Sequence, residues 1–285
     1  MPAAAFRVAA GGPPATEPFD RLHMLRSALM NVMTAAALKA GRVLKRDFGE
    51  VENLQVSIKG PGDFVTAADR RSEKILVEEL SKARPGYGFV LEESGRIEAT
   101  DKTHVWYIDP LDGTTNFLHG LPIFAISIAL AREGKIVAGL VHNPATGDTY
   151  AAEKGQGAYL NNRRLRVAAR RNISECLIGC GIPHIGKSKE HPRFQADLKA
   201  VMARAGNLRR LGSAALDLCF VASGSYDGFW ERDLKPWDIA AGIIIIREGG
   251  GFVTDTEGGE EMLAKGSICA GNEAIHRDLL ALIRG

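Results

Sequence analysis

Cysteine is scarce in this chain: four thiols (Cys176, Cys180, Cys219, Cys269) in 285 residues, without metal-type pairing. That pattern excludes a disulfide scaffold and points to reduced thiols in a cytoplasmic protein. Cys176 and Cys180 read as packed thiols, with a redox pair as the alternative. Long apolar runs are also missing. The longest candidate, four isoleucines at 243–246, falls far short of the roughly 18–20 residues that cross a bilayer, so no membrane association is expected. Neither sign of charge dominates. A net charge of +2, from 36 basic and 34 acidic residues, gives no reason to expect nucleic acid or an anionic membrane as the main partner. No internal repeat appears, and no low-complexity segment after residue 19. Residues 1–19 are rich in Ala, Gly and Pro, carry Arg7 as their only basic residue, and lack an apolar signal core. They read as a flexible leader.

What is present is ordinary globular material, with enough length for one large domain or two packed ones. Apolar residues recur at helical spacing over residues 20–48, with Gly41 as a candidate break. A strand at 51–58, a loop at 59–63, a helix at 66–80 and a strand at 89–91 follow. Strands at 124–131, 135–142, 149–153 and 158–160, the first two joined by the turn Arg132-Glu-Gly-Lys135, predict an antiparallel sheet. Later the pattern changes to a strand at 176–181, a helix at 193–205, then strand, helix, strand. The fold class is therefore α/β: a metal-binding α+β half over 20–165 with the antiparallel sheet, and an α/β half over 166–285 that completes the active site. Residues 161–171 hold five arginines and read as an exposed hairpin, or as a nucleic-acid or protein contact.

The chemistry concentrates where an apolar strand, Val105-Trp-Tyr-Ile108, runs into Asp109-Pro-Leu-Asp-Gly-Thr-Thr115. Pro110 cannot extend a central strand, so the chain is expected to turn there, and Gly113 permits the unusual dihedrals of that turn. Hard oxygen ligands at a strand end, with backbone N–H groups opening beyond them, suit Mg²⁺ and a phosphate monoester held together. The alternative for Asp112 is a cap on the helix that Thr114 and Thr115 begin. Glu92 and Glu93 close another apolar strand, where at most one of them faces a shared cluster. Asp238 follows Trp237 at the start of an apolar helix, and Asp69 stands ahead of a helix; capping is the alternative for both. Four acidic sites brought together without a cation would repel strongly, and divalent ions remove that cost.

Four motifs in order now carry a resemblance. Asp109-Pro-Leu-Asp-Gly-Thr-Thr-Asn-Phe-Leu-His119 and Trp237-Asp-Ile-Ala-Ala-Gly242 resemble the two signatures of the inositol monophosphatase family. Glu92-Glu-Ser94 and Asp63-Phe-Val-Thr-Ala-Ala-Asp69 are similar to its upstream elements, and the likeness covers residues 20–285, nearest the bacterial SuhB-like branch. The resemblance implies a layered αβαβα sandwich of the inositol monophosphatase/fructose-bisphosphatase type. It also implies Mg²⁺-dependent hydrolysis of phosphomonoesters, inhibition by Li⁺, and a homodimer.

Carried onto these residues, it implies one metal at Glu92, Asp109 and the Leu111 carbonyl. A second would sit at Asp109, Asp112 and Asp238, and a weaker third near Glu92. Asp69 and Thr114, supported by Glu93, would orient the attacking water; Gly113, Thr114 and Thr115 would hold phosphate oxygens. Gly212, Ser213, Ala214 and Glu231 would line the polyol side. No side-chain nucleophile is needed, and phospho-aspartate phosphatases, whose two aspartates stand two residues apart, differ from the three-residue spacing here. Inositol monophosphate is the expected substrate. Histidinol phosphate, a nucleotide 3′-phosphate or a sugar bisphosphate are alternatives, as is a regulatory role through RNA polymerase or RNA, for which the arginine run is the candidate surface.

Overall fold

The computed structural model describes residues 27–48, 56–60 and 63–284. The expected leader, residues 20–26 of the first helix and residues 51–55 of the first strand lie outside these. Helix α1 (Ala28–Phe48) begins after Ser27, whose Oγ accepts from the Met30 N–H at 3.0 Å. It runs through Gly41 without a break: that glycine is buried against His142 rather than ending the helix. Strands β1 (Val56–Gly60) and β2 (Asp63–Thr66) pair antiparallel, so Lys59, Gly60 and Asp63 of the expected loop are strand, while residues 61–62 lie outside the described residues. Then come α2 (Ala67–Ala83), β3 (Gly88–Leu91), β4 (Gly95–Ile97), β5 (His104–Asp112), α3 (Thr114–Leu118), β6 (Ala125–Arg132), β7 (Lys135–His142), β8 (Thr149–Glu153), β9 (Gly157–Leu160) and β10 (Arg163–Arg164). The remainder is β11 (Leu177–Cys180), α4 (His191–Met202), β12 (Asn207–Arg209), α5 (Ala214–Ala222), β13 (Gly228–Arg232), α6 (Pro236–Glu248), β14 (Phe252–Thr254), α7 (Met262–Lys265), β15 (Ser267–Gly271) and α8 (Glu273–Arg284).

Strands β3 to β10 build one sheet in the order β10-β9-β8-β7-β6-β5-β3-β4. It is antiparallel as expected except at one place: β3 and β5 pair in parallel. Strand β4 folds back as the outer edge of β3, so the returning chain can enter only on the other side of β3, in the same direction. The second sheet runs β12-β11-β13-β15-β14, with β11 parallel to both neighbours and β15 antiparallel to both of its own.

Alternation along the strands produces five layers. On β6, Ile126, Ile128 and Leu130 face a core shared with α1 and α2, while Ala125 and Ala129 face α5 and α6. On β13, Phe229 faces α5 and α6, and the adjacent Trp230 faces α4 and α8. Helices α5 and α6 are thus buried between the sheets, which is why their apolar residues run almost unbroken. The order helix, sheet, helix, sheet, helix is the αβαβα sandwich. All four cysteines are buried free thiols; burial pushes Cys176 up to about 11 and Cys180 up to about 12. Among the described residues no helix is long and apolar enough to cross a membrane.

Candidate active site

Strand β5 continues through Pro110 to Asp112, where a turn at the proline was expected. Asp109 pairs with Ser127 and Asp112 with Ala125, so β5 carries one more residue than β6 between the pairs. This is a bulge, the arrangement that tolerates proline in a sheet and redirects side chains beside it. Gly113 follows at φ +88° as the residue before α3, and a Cβ there would lie 2.8 Å from the Ile123 carbonyl. Only glycine lets the chain turn into α3 with its first N–H groups free of the preceding strand.

A cleft of about 800 Å³ opens at this point. It is lined by Glu92, Asp109, Leu111, Asp112 and Asp238, by Gly113, Thr114 and Thr115, and by Gly212, Ser213, Ala214 and Glu231. Of the expected site residues, Asp69 and Glu93 alone do not line it. Asp69 is fully buried in the first turn of α2 rather than ahead of it. Its Oδ2 accepts from the Thr66 N–H at 2.8 Å, and its Oδ1 stands 3.3 Å from the Thr114 hydroxyl. That hydroxyl is also 3.1 Å from the Leu111 carbonyl, so its proton can go to either oxygen. Glu93 lies with Glu92 and Ser94 in the turn between β3 and β4 and does not line the cleft.

The capping alternatives resolve locally. Asp112 does not cap α3; its Oδ2 accepts from Ser213 Oγ at 2.6 Å and the Ala215 N–H at 2.8 Å, at the start of α5. Asp238 sits one turn into α6, behind Lys235 and Pro236, and its Oδ2 accepts from the Lys235 N–H at 2.7 Å. Asp109 Oδ1 accepts from the Leu111 N–H at 2.9 Å. Burial first, then the charges of Glu92, Asp112 and Asp238, push the Asp109 carboxyl far above its ordinary range. Burial likewise raises Asp238, with Asp112 next in effect, and brings Asp112 up to about 6. Burial also raises Asp69.

As they stand, no three His, Cys, Asp or Glu side chains among the described residues are drawn into a closed metal-ligand cluster. The donor set nevertheless fits a hard cation. It is all oxygen, Asp109 is buried and Glu92, Asp112 and Asp238 are partly so, and their mutual repulsion is the kind that a divalent ion reverses.

Several supporting residues were not anticipated from the sequence. One face of α2 presents Asp69, Ser72 and Glu73. Ser72 Oγ donates to the Pro110 carbonyl at 2.8 Å. Glu73, itself buried, accepts from the Glu93 N–H at 2.9 Å and from Ser94 Oγ at 2.5 Å. One helix face therefore fixes the bulge of β5, the end of β3 and Thr114 together. Their i+3 and i+4 spacing from Asp69 was the available signal. Asn116 Nδ2 donates to the Ile123 and Leu211 carbonyls at 2.7 and 2.8 Å, tying α3 to the Gly212 loop. Arg210, Asp217 and Lys235 also line the cleft, and burial pushes the Asp217 carboxyl well up.

The sequence model of the inositol monophosphatase family matches residues 25–285. The inositol-1-monophosphatase of Mesorhizobium japonicum is 60% identical over 261 residues, covering 92% of this chain and 98% of the relative. A putative Nus factor SuhB of Neisseria meningitidis serogroup B is 44% identical, covering 89% and 97%. The crystal structure of the extragenic suppressor protein suhB from Bartonella henselae superposes with a TM-score of 0.88 at 55% identity, covering 90% and 99%. The chain belongs to the inositol monophosphatase family, and it is an enzyme of the phosphatase class.

Proposed function

We propose that this enzyme hydrolyses small phosphomonoesters, with myo-inositol monophosphate as substrate and inositol and inorganic phosphate as products, in a Mg²⁺-dependent, Li⁺-sensitive reaction. The observation that carries it is the single cleft that brings together Glu92, Asp109, Asp112 and Asp238, the Gly113–Thr115 backbone, and Glu231. The names of the rhizobial relatives support inositol monophosphate over the other esters.

Mg²⁺ would be held by Glu92, Asp109 and the Leu111 carbonyl, and by Asp109, Asp112 and Asp238, with a third, weaker ion near Glu92. Such ions would supply charge neutralisation of the phosphate and activation of a water. The protein supplies the rest. The N–H groups of Gly113, Thr114 and Thr115 bind phosphate oxygens. A water in line with the ester bond donates to Thr114 Oγ1, whose own proton passes toward Asp69. Burial makes Asp69 a better proton acceptor than an exposed carboxylate. Glu231 accepts hydrogen bonds from the substrate hydroxyls, where a charged acceptor suits neutral donors.

The reading is tested by phosphate release from inositol 1-phosphate, glycerol 2-phosphate, histidinol phosphate, adenosine 3′,5′-bisphosphate and fructose 1,6-bisphosphate, each with Mg²⁺, chelator or added Li⁺. Turnover led by another ester would displace inositol monophosphate as the substrate. A cytoplasmic homodimer belongs to the same proposal. The relatives called Nus factor SuhB support a second role, association with RNA polymerase or RNA, through exposed Arg163, Arg164 and Arg166.

A further inference from the structure

A second cavity, of about 470 Å³, shares no lining residue with the carboxylate cleft. It lies between α1 and the turn after β7. Leu38, Gly41, Arg42 and Lys45 form one wall, at i, i+3, i+4 and i+7 along a single helix face. His142 and Pro144 stand opposite.

Two independent features suit this cavity to a ligand. Arg42 and Lys45 have no carboxylate partner among the described residues, and no Asp or Glu lines the cavity. Their neighbours on α1 are paired: Lys39 with Glu79 at 2.8 Å and Arg46 with Asp47 at 3.0 Å. Cations near a helix C-terminus complement its dipole, but that role does not require two of them to border one hollow beside a buried imidazole.

The second feature is the imidazole. His142 is 4% exposed, and its Nδ1 lies 3.2 Å from the Asp148 carbonyl and 2.9 Å from Thr149 Oγ1. The tautomer with its proton on Nδ1 lets both the Asp148 carbonyl and Thr149 Oγ1 accept, and it leaves Nε2 with a bare lone pair. That edge abuts Gly41: a Cβ there would stand 2.9 Å from both Cδ2 and Nε2. Burial holds the ring down to about 4 against the opposing pull of the Asp148 carbonyl and carboxylate, with the Lys45 charge a smaller aid, so it is a neutral acceptor at physiological pH.

We propose that this cavity is a binding site for a small hydroxylated organic anion. Arg42 and Lys45 hold the anionic group, His142 Nε2 accepts from the hydroxyl, and Leu38 and Pro144 cover the carbon body. Two cations without an acid confer selectivity for charge, and one neutral acceptor confers selectivity for a donor.

The probe is 3-hydroxybenzoate, which carries no phosphate and so separates this cavity from the catalytic cleft. Binding is read from the His142 Cε1–H resonance during titration of the full chain. The expected result is a saturable shift, with affinity reduced at least about tenfold in the Arg42→Ala/Lys45→Ala variant. Benzoate should bind more weakly and 3-hydroxybenzamide should not bind, while phosphatase activity of the variant stays unchanged. The absence of a saturable shift would overturn the proposal. So would equal affinity in the double variant, or a neutral amide that binds as well as the acid.

Discussion

The Glu231 carboxylate occupies the space that a side chain at Gly181 would need: a Cβ on Gly181 would sit 1.8 Å from Glu231 Cδ. The two are brought together because β11 and β13 pair in parallel, Cys180 opposite Trp230, and the next residue of each segment, Gly181 and Glu231, lines the cleft. The absence of a side chain at Gly181 therefore sets where the carboxylate of Glu231, the proposed reader of the polyol, can stand.

Gly181→Ala should consequently act like a lesion of Glu231. Hydrogen bonds to a charged acceptor contribute about 1.5–3 kcal/mol, so KM for inositol 1-phosphate should rise roughly tenfold or more. KM for glycerol 2-phosphate should change less. Combined with Glu231→Ala, the effects should fall well short of additive, since one contact is lost twice. Steady-state kinetics of the two single variants and the double variant give the answer; additive effects would mean that Gly181 acts elsewhere.

Glu73→Gln should disturb the site without touching substrate. The carboxylate holds the Glu93 N–H and the Ser94 hydroxyl, and so the backbone next to Glu92. Loss of such a supporting contact typically costs about 10–100-fold in metal affinity or activity. The expected outcome is a higher Mg²⁺ concentration for half-maximal rate. An unshifted Mg²⁺ titration would show that the loop is held without Glu73.

Stability should fall on mild acidification because of His142. Folded, its ring is held down to about 4 by burial; unfolded, it titrates at the ordinary 6.5. Between these values the unfolded chain binds more protons, so stability is full above about 6.5 and falls as the pH drops toward 4. The loss is at most about 3 kcal/mol. Denaturant unfolding of the wild type and His142→Gln from pH 4 to 7.5 should show a difference in stability that shrinks as the pH falls; a constant difference would assign the slope to other groups.

Replacing Arg163, Arg164 and Arg166 together should leave hydrolysis unchanged, because these exposed side chains line no part of the cleft. Arg170, in the same run, should not be included. Its guanidinium pairs with the buried Asp227 at 2.7 Å, and removing it would strand that carboxylate. Pull-down with RNA polymerase or RNA decides the second role: retention of the partner by the triple variant would detach that role from this surface.

Much of the site was legible because its residues sit at the ends of apolar segments, where periodicity stops and chemistry begins. Asp109, Asp112, Asp238 and Glu92 were found that way, and the structure brings all four to one cleft. Distant partnerships were not legible. That Asp112 takes its hydrogen bonds from Ser213 and Ala215, about a hundred residues later, follows only from the packing of α5 between the sheets. The parallel pairing of β3 with β5 is likewise a choice between distant strands. Gly41 and Pro110 misled locally for one reason. Tertiary context absorbed both, the glycine under an imidazole and the proline in a bulge.

The proposed role of the acidic cluster, to make this phosphatase metal-dependent, is tested by a Mg²⁺ titration. Phosphate release from inositol 1-phosphate is followed as Mg²⁺ is added to chelated wild-type enzyme and to Asp109→Asn. The wild type should be silent in chelator and saturate with Mg²⁺. The variant should lose at least about 10²–10³-fold in rate while keeping its fold, since one of four repelling carboxylates has been made neutral. Chelator-resistant turnover, or substantial activity in folded Asp109→Asn, would contradict the account.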